Sequence, residues 1–230
     1  MKTIGLIGGM SWESTVTYYK YINETIKNKL GGFHSAKCIL YSVDFHEIEA
    51  LQSKGEWEKS GELLAEAAVS LEKSGADFII ICTNTMHKVV DIIQRSISLP
   101  ILHIAEATAE LLKEQELDKV ALLGTKYTMQ QAFYKDILVK NGIEVLIPKE
   151  KDIEIINRTI YQELCLGIIS EDSRREYLRI IDELAWQGAE GIILGCTEIG
   201  LLVGQNDTNI PLFDTTFIHA SKAAMLALQD

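Results

Sequence analysis

The chain has 230 residues, a hydrophobic fraction of 47%, a charged fraction of 24% and a formal net charge of −11. This length and composition predict a globular protein that buries its own core. The net charge is negative and the basic residues are scattered along the chain, which argues against a nucleic-acid partner. An apolar run of about 18 residues is lacking, which argues against a membrane span. The first apolar stretch is too brief for a signal peptide, so we expect a cytoplasmic location.

Short runs of Ile, Val and Leu alternate with stretches of helical period, a pattern typical of β-α units and a parallel sheet. In chain order, the predicted strands are 3–7, 37–43, 77–81, 101–103, 119–123, 145–147, 191–194 and 212–213. The first helix is expected to begin after the N-cap residue Ser11 and to end at Gly31-Gly32. Its predicted buried face consists of Val16, Tyr19, Ile22, Ile26 and Leu30.

Similar fragments recur in the two halves of the chain, in the same order and at separations close to half of its length. Residues 4–8 (IGLIG) resemble residues 120–124 (VALLG), Cys82-Thr83 recurs as Cys196-Thr197, and residues 99–102 (LPIL) resemble residues 210–213 (IPLF). Such repetition indicates an internal duplication. We therefore expect two similar α/β domains, 1–100 plus 212–230 and 101–211, with the active site in a cleft between them.

Both copies of the Cys-Thr element follow a buried type of strand, so Cys82 and Cys196 are expected at carboxyl ends of parallel strands, where ligands of open α/β sheets bind. A helix that begins there binds carboxylates and lowers the pKa of a thiol. A single cysteine after a strand is usually a small apolar core residue. Two at repeated positions favour a pair of acid/base thiols that approach one carbon from opposite sides. Cys38 and Cys165 lack such a counterpart and are expected to pack in the core.

Short polar residues follow each thiol and are either helix caps or substrate ligands. They are Thr83, Asn84, Thr85, Thr197 and Glu198. The cysteines show neither C-x-x-C spacing nor a histidine at ligand spacing, so a metal site is not expected.

The glycine turn at residues 5–11 closes the first strand but lacks the G-x-G-x-x-G spacing of a dinucleotide site. We expect it instead to bring Met10 and Ser11 against a small ligand. The histidines show no mutual spacing typical of a metal site or a triad, and His87 is interpreted as a hydrogen-bonded structural residue.

The segments 8–11 (GGMS), 82–87 (CTNTMH) and 195–199 (GCTEI) together resemble the aspartate/glutamate racemase family, most of all its bacterial broad-specificity amino-acid racemases. The resemblance covers nearly the whole chain. It implies two Rossmann-like domains with pseudo-two-fold symmetry, a homodimer, and racemisation without a cofactor by Cys82 and Cys196. It further implies that the pocket is lined by Met10, Gln52, Thr83, Asn84, Thr85 and Thr197.

Two positions depart from the aspartate-specific pattern, in which an Arg lies in the segment 44–52 and a Lys stands at the position of Leu166. This chain has neither, so a buried side-chain carboxylate would lack a cationic partner, at a high cost in free energy. We therefore expect non-acidic amino acids as the preferred substrates, and Glu198 or the acidic segment would favour the basic ones among them.

In the resulting hypothesis one cysteine, as a thiolate, removes the α-proton, and the other donates a proton to the opposite face of the carbanion. Three alternatives remain open: an aspartate/glutamate racemase proper, an isomerase or decarboxylase with a single nucleophilic cysteine, and a non-catalytic amino-acid-binding module.

Overall fold

The computed structural model describes residues 1–229, and within them each predicted strand is present and the strand pairings are parallel. The strands are β1 Ile4–Gly8, β2 Cys38–Ser42, β3 Phe78–Ile81, β4 Ile101–Leu102, β5 Lys119–Gly124, β6 Glu144–Leu146, β7 Gly191–Gly195 and β8 Leu212–Asp214. The helices are α1 Trp12–Leu30, α2 Phe45–Ser53, α3 Trp57–Lys73, α4 Val90–Gln94, α5 Ile104–Glu114, α6 Lys126–Gln130, α7 Ala132–Lys140, α8 Glu150–Gln162, α9 Glu171–Trp186, α10 Ile199–Leu202 and α11 Thr215–Ala227. Short 3₁₀ segments lie at Thr85–Val89, Leu164–Leu166 and Gln205–Asp207. The predicted α/β class is confirmed.

The chain forms two compact units: Met1–Ile104 together with the chain from His219 onward, and Ala105–Ile218. The first unit contains a sheet of order β2-β1-β3-β4, and the second a sheet of order β6-β5-β7-β8. The two orders are the same when each is read from the first strand of its unit. The duplication inferred from the repeated fragments is therefore matched by a repeated topology.

Strands β4 and β8 lie on the other side of the division from the ranges predicted for them, 1–100 plus 212–230 and 101–211. β4 pairs with β3 (Ile79 opposite Ile101), and β8 pairs with β7 (Ile192 opposite Leu212). Each of these strands thus pairs with the strand that precedes it in the chain, as sequential strands usually do. The chain changes unit later, after Ile104 and after Ile218.

The inner strands are buried on both faces, which explains their continuous apolar sequences. In β1, β3 and β7 every residue is buried. In the first unit one face packs against α3 and the other against α1 and α11. In the second unit one face packs against α8 and α9. Within residues 1–229 no helix combines the length and the apolar character needed to cross a bilayer.

The first helix begins and ends as predicted, but its buried face is rotated. The Ser11 side chain accepts a hydrogen bond from the Ser14 amide, and the Gly31 amide caps the last turn. Of the predicted face, Ile22 and Ile26 are buried, whereas Val16, Tyr19 and Leu30 are exposed. The cause is the turn before the helix: the Thr15 hydroxyl donates to the Ser11 carbonyl at 2.8 Å and accepts the Gly9 amide at 2.9 Å. These bonds hold the Thr15 side of the helix against the sheet.

Candidate active site

Cys82 is the first residue after β3, and its backbone still belongs to the sheet, because its amide donates to the Ile7 carbonyl at 2.9 Å. Its side chain continues the alternation of Phe78 and Ile80 and lies in the core between the sheet, α1 and α11. The thiol is completely buried. Burial raises the pKa of Cys82, since a thiolate there would lose its hydration.

Cys196 is the first residue after β7 and is 8% exposed. Its thiol donates to Glu198 Oε2 at 2.9 Å, and the Thr197 hydroxyl donates to the same oxygen at 2.9 Å. Burial raises the pKa of Cys196, and the negative charge of Glu198 raises it further. Both thiols are therefore held in the protonated form in the absence of a substrate.

The two thiols share a motif but differ in sheet register. In the first unit Ile7 of β1 lies opposite Ile81, the residue before Cys82. In the second unit the ladder is one pair longer, because Gly124 lies opposite Gly195, the residue before Cys196. Cys196 thus stands one position further beyond its sheet than Cys82.

This offset has a consequence for the side chains, because successive residues of a strand point to opposite faces. Cys82 packs on the α1 and α11 face of its sheet. Cys196 packs on the face covered by α8 and α9. The repeated Cys-Thr motif therefore presents its two thiols to different surroundings.

The glycine turn after β1 brings Met10 and Ser11 into buried positions, each 3% exposed. Gly9 has a φ of 90°, and a Cβ there would lie 2.2 Å from the Val43 carbonyl oxygen, so glycine alone fits. The Met10-Ser11 peptide bond is cis.

The loop after Cys82 is also buried, and it holds three of the predicted ligands: Thr83, Asn84 and Thr85. Asn84 and Thr85 are 2% and 5% exposed. Gln52, from α2, reaches this loop and donates its side-chain amide to Met86 Sδ at 2.9 Å. Met10 and Met86 belong to one buried cluster. In the first unit the structure thus gathers Met10, Gln52 and the loop that carries Cys82.

A cluster of three buried histidines, which sequence reasoning did not predict, lies in the first unit. The ring of His87 is 4.4 Å from that of His103 and 5.8 Å from that of His219, measured between centroids. The Ile104 amide donates to His87 Nε2 at 3.2 Å, so the proton of His87 is on Nδ1, which donates to the Thr83 carbonyl at 2.8 Å. The structural role predicted for His87 is therefore to anchor the loop after Cys82.

The third histidine connects two helices to the sheet. His219 Nε2 donates to the Leu102 carbonyl at 2.9 Å, and its Nδ1 accepts from the Tyr18 hydroxyl at 2.9 Å. Burial is the main cause that lowers the pKa of His103 and of His219 to about 4. Burial also lowers the pKa of His87. The three rings are neutral at neutral pH.

The remaining predicted residues lie elsewhere. Leu166 ends a 3₁₀ segment in the second unit and is 67% exposed. The preceding Cys165 packs against the cluster that contains Cys196, and Cys38 is half-buried on β2, in keeping with the packing roles predicted for both. Across residues 1–229, no group of three or more His, Cys, Asp or Glu side chains has an arrangement that could hold a metal ion.

Known proteins have similar sequences and similar folds. The family model described as Asp/Glu/Hydantoin racemase matches residues 7–223. The broad-specificity amino-acid racemase RacX of Bacillus subtilis is 26% identical over 93% of this chain and 92% of its own length. A Yersinia pestis crystal structure with a provisional Asp/Glu racemase assignment is 60% identical, with a TM-score of 0.92 and full coverage of both chains. An aspartate racemase homologue from Pyrococcus horikoshii is 38% identical, with a TM-score of 0.86 and the same full coverage.

The family match spans most of the chain, and the two structural relatives share its whole length with it. The resemblance inferred from the three sequence motifs is thereby confirmed. The chain belongs to the Asp/Glu/Hydantoin racemase family of amino-acid racemases.

Proposed function

We propose that this protein racemises non-acidic amino acids without a cofactor, with Cys82 and Cys196 as its two acid/base groups. The observation that carries the proposal is the repeated placement of a buried thiol directly after an inner strand of each sheet. Carboxyl ends of parallel strands are where small ligands of α/β proteins bind. A protein that used its cysteines as packing residues would not need them at both of these positions.

In the proposed reaction, one thiolate takes the α-proton, and the electron pair of the broken C–H bond stays on the α-carbon. The other thiol then gives its S–H proton to the opposite face of that carbon. The other enantiomer reacts through the reverse sequence. Asn84, Thr85 and Thr197 follow the thiols and offer amide and hydroxyl donors for the substrate carboxylate, on which negative charge grows in the transition state.

Both thiols favour the protonated form in the free protein, because burial raises the pKa of each. One of them must be ionised for the reaction to start. The α-ammonium group of a bound amino acid supplies a positive charge, and such a charge nearby lowers the pKa of a thiol. Substrate binding is therefore expected to generate the thiolate that acts on it.

The preference for non-acidic substrates is supported by the residues of the segment 44–52. The segment 44–52 contributes Ile48, which is completely buried, and the neutral Gln52. A carboxylate brought against them would be desolvated without a cationic partner. Glu198 is engaged with Cys196 and Thr197, so its carboxylate supports the thiol more directly than it supports recognition of a basic side chain.

The test is incubation of the protein with a panel of L-amino acids in deuterated water, followed by chiral chromatography and measurement of α-deuterium. We expect both exchange and racemisation for neutral or basic members, with aspartate and glutamate slower. Cys82→Ser and Cys196→Ser should each reduce racemisation by a factor of about 10³ or more, since proton transfer by a placed group contributes about 10²–10⁴.

The alternatives predict different results. A mechanism with one nucleophilic cysteine tolerates one of the two replacements, and an amino-acid-binding module binds without α-proton exchange. A panel in which aspartate or glutamate reacts fastest would instead identify an aspartate/glutamate racemase proper. Absence of exchange across the whole panel would refute the racemase proposal.

We also propose a homodimer, and an exposed apolar stripe on α1 supports it. Trp12, Val16 and Tyr19 recur at helical spacing and are 65%, 57% and 56% exposed. Such patches are typical of association surfaces. Sedimentation should give twice the monomer mass for the wild type and less for Trp12→Ser. Trp186→Ser, which removes a 94% exposed tryptophan from α9, is the matched control.

A further inference from the structure

We propose that Glu198 is a positioning residue that holds the proton of Cys196 on sulfur and thereby makes the two thiols unequal. The proposal rests on the two-thiol reaction described above and assigns Cys196 the role of proton donor in the resting protein.

The geometry around Glu198 supports an ionised carboxylate as the hydrogen-bond acceptor. Glu198 is 2% exposed, and its Oε2 receives both the Cys196 thiol and the Thr197 hydroxyl at 2.9 Å. Two donors that converge on one carboxyl oxygen match an ionised carboxylate, which accepts and does not donate. A thiol in this position is more stable than a thiolate, because the thiolate would lie in hydrogen-bond contact with a second negative charge.

The backbone amide of Glu198 lowers the pKa of Cys196, but burial and the Glu198 carboxylate, which raise it, are the larger causes. The carboxylate of Glu198 raises the pKa of Cys196, and so does Cys165, which lies in the 3₁₀ segment after α8. Tyr177, from α9, lies close enough for Cys196 and Glu198 to raise its own pKa, and its hydroxyl donates to the Ile156 carbonyl at 3.2 Å. Because the pKa of Tyr177 is raised, its hydroxyl is uncharged at neutral pH and adds no positive charge that would stabilise a thiolate.

Cys82 has different surroundings. The second residue after it is the neutral Asn84, where the second residue after Cys196 is Glu198. It belongs to the apolar cluster on the α1 and α11 face, which also includes Ile80 and Ala220. Burial is the cause that raises the pKa of Cys82. Cys82 is therefore the thiol that a substrate ammonium group can ionise more readily.

The proton balance then has a direction. Cys82, as the thiolate, takes the α-proton and becomes a thiol, while the S–H bond of Cys196 breaks and its proton passes to the α-carbon. The product state carries a Cys196 thiolate beside Glu198, which is the less stable arrangement. Cys196 then takes up one proton from solvent, which replaces the proton that Cys82 released when the substrate bound, and both thiols are again protonated as in the resting state.

The test is an NMR titration of the protein labelled with carbon-13 at cysteine Cβ, whose chemical shift distinguishes thiol from thiolate. The chain has four free cysteines, and Cys196→Ser and Cys82→Ser assign the two signals. In E198Q, which keeps the shape and removes the charge, the midpoint of Cys196 should fall by about one pH unit or more, while that of Cys82 stays unchanged. The exposed Glu154 of α8 provides the matched control, and E154Q should leave both midpoints in place.

Two further variants keep the test decisive if E198Q does not fold. E198D retains the carboxylate and should keep the Cys196 midpoint above that of E198Q or, without E198Q, well above that of an ordinary thiol. N84D adds a carboxylate at the matching position after Cys82 and should raise the Cys82 midpoint. An unchanged Cys196 midpoint in E198Q, an ordinary one in E198D, or an unchanged Cys82 midpoint in N84D would overturn the proposal.

The titration does not depend on activity, so two failures can be told apart. A shifted Cys196 midpoint in a protein that does not exchange α-protons retains the pairing and refutes the racemase function. Racemisation with an unshifted midpoint retains the two-thiol reaction and refutes the role of Glu198. In an active protein, the alkaline limb of kcat/KM should move to lower pH in E198Q, because the proton donor is then lost at lower pH.

Discussion

The buried histidine cluster predicts that the first unit loses stability in mild acid. His103 and His219 have pKa values lowered to about 4 by burial, against about 6.5 in an unfolded chain. Between these values the unfolded chain binds protons that the folded protein excludes. The stabilisation is therefore complete above about pH 6.5 and is lost as the pH falls toward 4.

The size of the effect follows from the two pKa values. Lowering the pH from about 7.5 to about 5 should cost about 2 kcal/mol of unfolding free energy for each of His103 and His219. His87, whose pKa is also lowered, adds to the loss. A total of about 4 kcal/mol is a large share of the 5–15 kcal/mol that stabilises a typical domain.

The assay is urea unfolding at the two pH values for the wild type, His219→Gln and His34→Gln. A glutamine at 219 can still donate to the Leu102 carbonyl and accept from the Tyr18 hydroxyl, the two contacts of the histidine ring. We expect its acid-induced loss to be about 2 kcal/mol smaller than that of the wild type. His34 is exposed, so its variant is the control. Equal losses in His219→Gln and the wild type would show that the cluster does not exclude protons.

Two other predictions follow from the site. Racemisation measured as kcat/KM should rise with pH between about 7 and 9, because burial raises the pKa of both thiols and one must ionise; a rate that falls over this range would contradict a thiolate base. Gly9→Ala should destabilise the protein by about 2 kcal/mol or more, measured by thermal unfolding, because its φ is 90° and the new Cβ would meet the Val43 carbonyl. Gly142→Ala, at a φ of 83° with open space around it, isolates the backbone contribution and should cost less.

Much of the fold could be predicted because its determinants are local in the sequence. The apolar runs of β1, β3 and β7 are continuous since both faces of these strands are buried. The first helix begins after Ser11 and ends at Gly31, as expected from the preference of serine for the N-cap and of glycine for a positive φ at the C-terminal end. The buried face of that helix was predicted wrongly at Val16 and Tyr19, because hydrogen bonds from Thr15 to the preceding turn outweigh the apolar pattern.

Features formed by distant residues could not be predicted in this way. His87, His103 and His219 lie on separate elements, and only the folded first unit brings their rings together. The hydrogen bond from Cys196 to Glu198 joins residues two apart, so a polar residue at that spacing could have suggested it. The acceptor of the thiol proton is set by the folded loop, because the motif offers both the Thr197 hydroxyl and the Glu198 carboxylate.

The one-residue difference in sheet register connects these observations. Matching the two Cys-Thr motifs suggests that the thiols are equivalent, whereas the ladder places Gly195, and not Cys196, at the position that Cys82 occupies in its own unit. Because side chains alternate between faces, one added residue is enough to move a thiol from one side of a sheet to the other. Cys82 lies among apolar groups near α1 and α11, and Cys196 lies beside a carboxylate near α9. A two-thiol racemase needs one thiol ionised and the other protonated at the same moment, and two identical environments would not determine which thiol is ionised. In the proposed reaction, the difference in sheet register determines that Cys82 is the thiolate and Cys196 the thiol.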